Sequence, residues 1–531
     1  MRLDEPEGIP RVRYRLTATM DADGEIEQSL VYVLDVGPDG SPINTAQIQK
    51  GERHLIHVHY LPARRDPAAH IAYSTTALLG RMLRSVTWAG EREDIKILTD
   101  QISNRLAANP SVGALSKSLM SAWGTLHKGR FFANPKISFG ASEIEALLRH
   151  MSLSFSPGHD DNLVDFSRLS DGQKSLLYLS LVLASQSIGR AVLAGAEDSF
   201  DPDRLQPPVY TLVAVEEPEN SLSPHFLGRI VNALNAMAVN EDAQALIATH
   251  APSMLRRVDP KHIRYLRLSE DRVSQISHIR LPKKTDEAHK YVREAVQAFP
   301  EIYFARLVIL GEGDSEEIVL PRILRARGAP VDEIGVAIAP LGGRHVNHFW
   351  RLLTALNIPH VTLLDLDVAR HQGGWGRIKY VNDQLTKYRP DSKLSANFRV
   401  PQWNSATRRV RDNPAFIEEL EKRDVYFSSP MDLDFAMLIA YRDAYGVEAE
   451  EPTASTIKAV LGAGHYNPAQ YSGNELDLFS TYHKRFKLGS KPATHIEALA
   501  HIGDEDLLAN IPASLGRLGD AIVAKLAELP E

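Results

Sequence analysis

The 531 residues include no cysteine, which removes disulfides and thiolate metal sites from consideration. No run approaches the ~18 unbroken apolar residues of a membrane span. The opening Met1-Arg2-Leu3-Asp4-Glu5-Pro6-Glu7 has no apolar stretch behind its charges, so no secretory signal is expected and a cytoplasmic address follows. There is no excess of basic charge: 60 Lys and Arg against 67 Asp and Glu give a formal net charge of -7. Contact with nucleic acid would therefore have to come from local patches. Internal repeats and low-complexity tracts are also missing. So is the phosphate loop Gly-x-x-x-x-Gly-Lys-Ser/Thr, for which Gly489-Ser490-Lys491 is no substitute.

The composition, 44% hydrophobic and 24% charged, is that of a globular chain. At roughly 150 residues per domain its length predicts about three or four units. Alternation over Val12–Met20 and Gln28–Asp35, a Gly-Pro-Asp-Gly turn at 37–40 and an apolar run at Leu55–Leu61 predict a β-rich start, residues 1–71. Helical patterning with long polar stretches marks 72–152 as an insertion, an arm or interaction surface. Residues 153–285 alternate between helix and strand patterns and end in a strand pair around Ile263–Ile279. Leu281-Pro282-Lys283-Lys284-Thr285 looks like a linker before a helix from Asp286 to Phe299. A second α/β pattern fills the remainder of 286–531, with strands expected at Leu307–Leu310, Val336–Ala339 and Val361–Leu364.

Two constellations carry chemistry. In the first, Leu169-Ser170-Asp171-Gly172-Gln173-Lys174 precedes an apolar helix, placing a hydroxyl and free amides where anions are favoured. Ser-x-x-Gln is equally a capping box. The run Val209–Val215 reads as a strand buried on both faces and ends in Glu216-Glu217-Pro218-Glu219-Asn220. One acid of such a pair suits an Mg²⁺ shell and the other an attacking water. A third run ends in Thr249-His250.

In the second constellation, Leu307–Leu310 delivers Glu312 between Gly311 and Gly313, and Glu316 follows one helical turn on. Val361–Leu364 delivers Asp365 and Asp367, which alternation points to one side. Phe427-Ser428-Ser429-Pro430-Met431 leads to Asp432 and Asp434, a further pair able to complete a second metal shell. Taken singly, each acid reads as well as a helix cap or a solvated loop. Together they suit Mg²⁺ or Mn²⁺, two ions acting on a phosphodiester. Near the end, Lys484, Lys487 and Lys491 cluster. From Arg377 to Arg411, Lys379, Lys387, Arg389, Lys393, Arg399, Arg408 and Arg409 interleave with Tyr380, Tyr388, Phe398 and Trp403. That mixture suits phosphates and unstacked bases, or a plain solvated face.

In order and spacing, Leu-Ser-Asp-Gly-Gln at 169–173, the acids at 216–217 and Thr249-His250 resemble the signature, Walker B and switch-histidine motifs of ABC and SMC-like ATPases. The resemblance implies ATP bound by Ser170, Gly172, Gln173, Glu216, Glu217 and His250 across a homodimer, with Ser170 and Gly172 reaching the γ-phosphate of the other subunit. The missing phosphate loop departs from that pattern and leads us to expect a truncated or mis-called start. Glu-Gly-x-x-Glu at 312–316, Gly342-Gly343-Arg344-His345-Val346-Asn347, Asp365-Leu366-Asp367 and Gly373-Gly374-Trp375-Gly376-Arg377 resemble the Toprim domain, and in particular that of the OLD (overcoming lysogenization defect) nucleases.

The resemblance implies a multidomain α/β fold, an ABC-like ATPase with an incomplete N-terminal lobe and a helical insertion, followed by a Toprim domain. It further implies a DNA endonuclease regulated by ATP, in phage defence or repair, with or without an accessory protein. The catalytic residues would be Glu312, Asp365, Asp367 and Lys491, with Lys484 and Lys487 as rivals for the lysine. The metal ligands would be Glu312, Glu316, Asp365, Asp367, Asp432 and Asp434. Two other readings stay open: a non-catalytic ATP-switched DNA clamp, and a topoisomerase-like enzyme using Tyr426 or Tyr482.

Overall fold

The computed structural model describes residues 12–21, 25–63, 77–88, 90–126, 153–156, 163–165, 168–220, 222–269, 271–279, 297–342, 346–395, 398–405 and 407–530. Two compact units divide the chain between Thr249 and His250.

The first unit opens with an antiparallel meander of β1 (Tyr14–Met20), β2 (Ile26–Val36) and β3 (Pro42–Gln47). The expected turn joins β2 to β3, with Gly40 at φ +80°, a conformation glycine adopts without steric cost. After β4 (Ile56–Leu61), the expected helical insertion at 72–152 includes the helices Glu91–Ala107 and Pro110–Leu126; its residues 72–76, 89 and 127–152 lie outside the described residues. A two-residue pair, β5 (Ser154–Phe155) with β6 (Val164–Asp165), follows. A parallel sheet then sets β7 (Tyr210–Glu216) between β4 and β8 (Ala243–Ala248).

The apolar run of β7 predicts burial on both faces, and the structure differs. Thr211, Val213 and Val215 are each 2% exposed, whereas their alternate neighbours are half-buried. Tyr178, Leu179 and Val182 of the helix Asp171–Leu193 and Ile230 and Leu234 of the helix Pro224–Ala238 share one core with Val213 and Val215. Asp171–Leu193 is long and apolar enough to cross a membrane, and one face of it packs in that core.

The second unit, after short helical turns at Pro252–Leu255 and Pro260–His262, has a hairpin of β9 (Arg264–Leu268) and β10 (Ser274–His278). The linker expected at 281–285, and the helix after it up to residue 296, fall outside the described residues. Four parallel strands then form the sheet β12-β11-β13-β14: β11 (Leu307–Gly311), β12 (Val336–Pro340), β13 (His360–Asp365) and β14 (Val425–Ser428). Leu307, Val308, Ile309 and Leu310 are all 0% exposed, as an unbroken apolar run in a sheet covered on both faces requires. Trp350, also 0% exposed, donates from Nε1 to Thr362 Oγ1 at 2.9 Å and fastens the helix Val346–Ala355 to β13. Because the strands are parallel, β11, β13 and β14 end at the same edge, where such sheets hold their ligands.

His360, at the start of β13, is buried, with Nδ1 bonded to the Ile358 carbonyl at 2.8 Å and no partner for Nε2 among the described residues. Burial pushes its pKa from 6.5 down to about 4. The unfolded chain therefore takes up a proton that the fold refuses, and stability is lost as pH falls from 6.5 toward 4. The expected loss is roughly 3 kcal/mol. Urea denaturation across this range should show that slope in the wild type and a flatter one in His360→Gln; equal slopes would refute the assignment.

Candidate active site at the edge of the parallel sheet

β11 ends at Gly311, where a side chain would meet Glu316 Cβ at 2.6 Å, so only glycine lets the following helix, Asp314–Ala326, fold back this closely. Glu312 lies just past the strand and accepts from the Asp365 amide at 3.2 Å. Glu316, 2% exposed, turns back to accept from the Gly313 amide at 2.8 Å. It is thus a helix cap, as the sequence also allowed, and it lines the same cavity as Glu312 and Asp365. Asp365 ends β13 and accepts from the Leu433 amide at 3.3 Å. Ser428 is its strand partner, and the buried Ser428 hydroxyl has no hydrogen-bond partner among the described residues.

Asp367 lies beyond the strand at φ 54° and is clasped by two arginines that the motifs did not single out as partners. Arg377 donates to it from Nε at 2.8 Å and from Nη2 at 2.6 Å, and reaches Glu312 from Nη2 at 3.1 Å. Arg370 Nη1 bridges Asp367 at 2.6 Å and Asp432 at 3.1 Å. A Cβ on Gly373 would strike the Asp367 carbonyl, and the Gly374 amide donates to the Leu366 carbonyl at 2.7 Å. The loop is thereby closed on itself.

Asp432 caps the helix Leu433–Ala440 by accepting from the Phe435 amide at 3.0 Å, and it receives the Tyr482 hydroxyl at 2.5 Å. Asp434, 1% exposed, is held by protein groups: Ser315 Oγ donates to Oδ1 at 2.6 Å, His495 Nε2 stands 3.0 Å from the same oxygen, and Lys491 Nζ forms an ion pair with Oδ2 at 2.6 Å. Tyr445 Oη stands 2.7 Å from the other ring nitrogen of His495. Of the three candidate lysines it is Lys491, first residue of the helix Lys491–Ala500, that lines the cavity. Tyr426 and Tyr482 are both buried and their phenols pushed up, the former to about 12, so neither offers an accessible nucleophile.

A cavity of about 470 Å³ is walled by Glu312, Glu316, Asp365, Asp432, Asp434 and Lys491. Burial pushes Glu312 up to about 7 and Glu316 up to about 8. Burial and four neighbouring acids, Glu312 first, hold Asp365 well above the usual carboxylate range. Burial acts on Asp367 too, yet Arg370 and Arg377 outweigh it and keep the carboxyl low. At Asp434, His495 and Lys491 likewise outweigh burial. Among the described residues, no three acids or histidines already stand in a geometry that holds one ion. The donor set nonetheless fits a divalent cation: hard oxygens, short of compensating charge, beside an orphaned hydroxyl.

In the first unit, Ser170 forms the capping box, accepting from the Gln173 amide at 3.3 Å while its own amide donates to Gln173 Oε1 at 3.0 Å. Gly172 is buried. Glu216 receives the Ala63 amide at 3.3 Å, and a hydrogen bond from Tyr60, followed by that amide, keeps its carboxyl below the usual range. Glu217 stands at φ 42° and holds Asn220 at 2.7 Å. Both acids line a small cavity of about 40 Å³ with Asp171 and Ser175 from the start of the Asp171–Leu193 helix. His250 is the first residue of the second unit.

Residues 303–367 match the family described as "Overcoming lysogenization defect protein-like, TOPRIM domain", and 39–256 match "AAA domain, putative AbiEii toxin, Type IV TA system". The chain thus joins an AAA-type ATPase domain to an OLD-like Toprim domain, domains that in general use nucleotide and divalent metal. It is 24% identical over 291 residues to the "Endonuclease GajA" of Bacillus cereus (strain VD045), covering 54% of this chain and 45% of that protein. To the "OLD nuclease" of Thermus scotoductus it is 22% identical over 354 residues, covering 62% and 60%. The chain therefore spans about half the length of these relatives. The solved C-terminal region of the Xanthomonas campestris pv. campestris OLD protein is 22% identical, covers 42% of this chain and 98% of that one, and has a TM-score of 0.27.

The two kinds of acid should respond oppositely to neutralisation. A carboxyl raised in the fold, such as Asp365, costs stability above its unfolded pKa, whereas one lowered in the fold, such as Asp434, contributes stability there that is lost as pH falls. At pH 7 with EDTA, Asp365→Asn is expected to raise the melting temperature and Asp434→Asn to lower it, with changes in unfolding free energy of roughly 1–3 kcal/mol. Shifts of the same sign would contradict this assignment of charge.

Proposed function

We propose that this chain is a DNA endonuclease dependent on Mg²⁺ or Mn²⁺, which nicks or cuts phosphodiester bonds under the control of its ATPase-type domain. The observation that carries the reading is one cavity walled by Glu312, Glu316 and Asp365, short of cation partners, and by the Lys491 ammonium. The names of the two relatives support nuclease activity, and DNA is the substrate we assign. Glu312, Glu316, Asp365, Asp367 and Asp432 are the residues that would hold metal. Two divalent ions, when bound, supply positive charge to both the attacking and the leaving oxygen of an in-line displacement.

The chain's own groups do the positioning. Arg370 and Arg377 keep Asp367 ionised and fix its loop. Asp434, which the sequence grouped with the metal ligands, is read instead as the anchor of Lys491: it keeps the ammonium charged and at the cavity wall, where it can meet charge developing on a phosphate. Ser170, Gly172, Gln173, Glu216, Glu217 and His250 are assigned to ATP in a homodimer, supported by the helix start that faces two acids across a small cavity. Phage defence or repair in the cytoplasm is the setting we assign.

Purified protein incubated with supercoiled plasmid and Mg²⁺ or Mn²⁺, without ATP, is expected to give nicked or linear product. Asp365→Ala should slow this by at least about a hundredfold. Product of equal amount from wild type and variant, or product formed in EDTA, would sink the proposal.

A further inference from the structure

The basic and aromatic stretch from Arg377 to Arg411 is not absorbed by the acid cavity, and the structure sorts its members. Phe398 packs edge-to-face on Phe416, Tyr380 packs against the core, and Arg389 pairs with Asp424, so these three are structural. Trp403 behaves differently. Its half-buried ring lies 5.0 Å from the exposed His371 and 5.9 Å from the half-buried Tyr466, and none of the three is among the residues of the second unit's core cluster.

The rings gather against the loop that carries Asp367. His371 directly follows Arg370, Trp403 Cβ lies 3.2 Å from where a side chain on Gly376 would be, and the Tyr466 amide donates to the Ala369 carbonyl at 2.7 Å. Trp375 Nε1 donates to the Arg408 carbonyl at 2.8 Å, tying the segment that follows Trp403 to the helix that bears Arg377. Arg408 and Arg409 are exposed, and neither side chain enters an ion pair among the described residues. Aromatic rings together with exposed guanidinium groups a few residues along the same segment are the combination that stacks unpaired bases while holding the adjoining phosphates. A surface kept only for solubility has no need of a tryptophan there.

We propose that His371, Trp403 and Tyr466, with Arg408 and Arg409, form a platform that stacks an unpaired base of a DNA strand next to the catalytic acids. The substrate is then DNA opened into single strand at that point. The proposal rests on the nuclease reading for its choice of nucleic acid, but its test does not depend on cleavage.

Full-length protein is titrated in EDTA against a single-stranded oligonucleotide carrying 2-aminopurine, whose fluorescence falls on stacking, and against the same sequence as a closed duplex. Wild type is expected to quench the single strand and to prefer it. Trp403→Phe should keep the quench, Trp403→Ala should lose it and bind about ten-fold more weakly, and the double variant Arg408→Ala, Arg409→Ala should weaken binding and flatten its salt dependence. The platform is overturned if wild type binds without quenching, if it prefers the duplex, or if Trp403→Ala, with an unchanged melting temperature, behaves as wild type. Quenching by a protein that cleaves nothing in Mg²⁺ or Mn²⁺ would keep the platform and remove the nuclease.

Discussion

Mutual repulsion among carboxylates brought to one edge of a parallel sheet is the constraint around which the second unit is arranged. Parallel pairing delivers every strand end to the same side, and here those ends carry Glu312, Asp365 and, after a short turn, Asp432. Crowded and largely withdrawn from water, such groups would either keep their protons or find positive charge. The fold answers differently on the two flanks. Arg370 and Arg377 compensate Asp367, and Arg370 reaches Asp432 as well; Lys491 and His495 hold Asp434; Glu312, Glu316 and Asp365 have only amide donors and one partial share of Arg377. The deficit of positive charge is therefore concentrated in the middle, at the cavity.

The first unit handles its acids in another way. Glu216 and Glu217 end and follow a strand whose one face is sealed by two helices, with Tyr60 and the Ala63 amide at Glu216 and Asn220 at Glu217. The helix opposite starts with a capping box in which the Ser170 hydroxyl is already spoken for by the Gln173 amide. The two readings of that motif, cap and anion site, are thus not exclusive: an incoming anion would meet the amides of the first turn that the cap leaves free.

What the sequence disclosed and what it withheld divide along physical lines. Strands β11, β12 and β13 stand within a residue of their expected bounds; for β11 and β13 burial on both faces leaves unbroken apolar runs that acids end abruptly. β7 read as buried on both faces because its composition is equally apolar, yet alternate residues are only half-covered; composition does not report how many layers pack above a sheet. The grouping of Asp434 with Asp432 followed from spacing, whereas its partners Lys491, His495 and Ser315 come from elements far apart in the chain. Arg370 has no pattern to mark it, and Arg377, which closes the Gly-Gly-Trp-Gly-Arg motif and opens the basic stretch, carries no sequence sign that it pairs with the acids. The buried hydroxyl of Ser428 could have been suspected from one signal, a serine closing an otherwise apolar strand.

The closed loop after β13 has a consequence for how this protein can change over evolutionary time. From Leu366 to Arg377 the backbone returns on itself through the Gly374 amide, packs a glycine against the Asp367 carbonyl, and hands the chain directly to the helix whose first turn holds Arg377. Substitutions on its outer side chains are affordable, but adding or removing one residue would rotate Arg377 about the helix axis by a third of a turn or so and pull it off both acids. Related chains are therefore expected to differ in the spelling of this loop and to agree in its length.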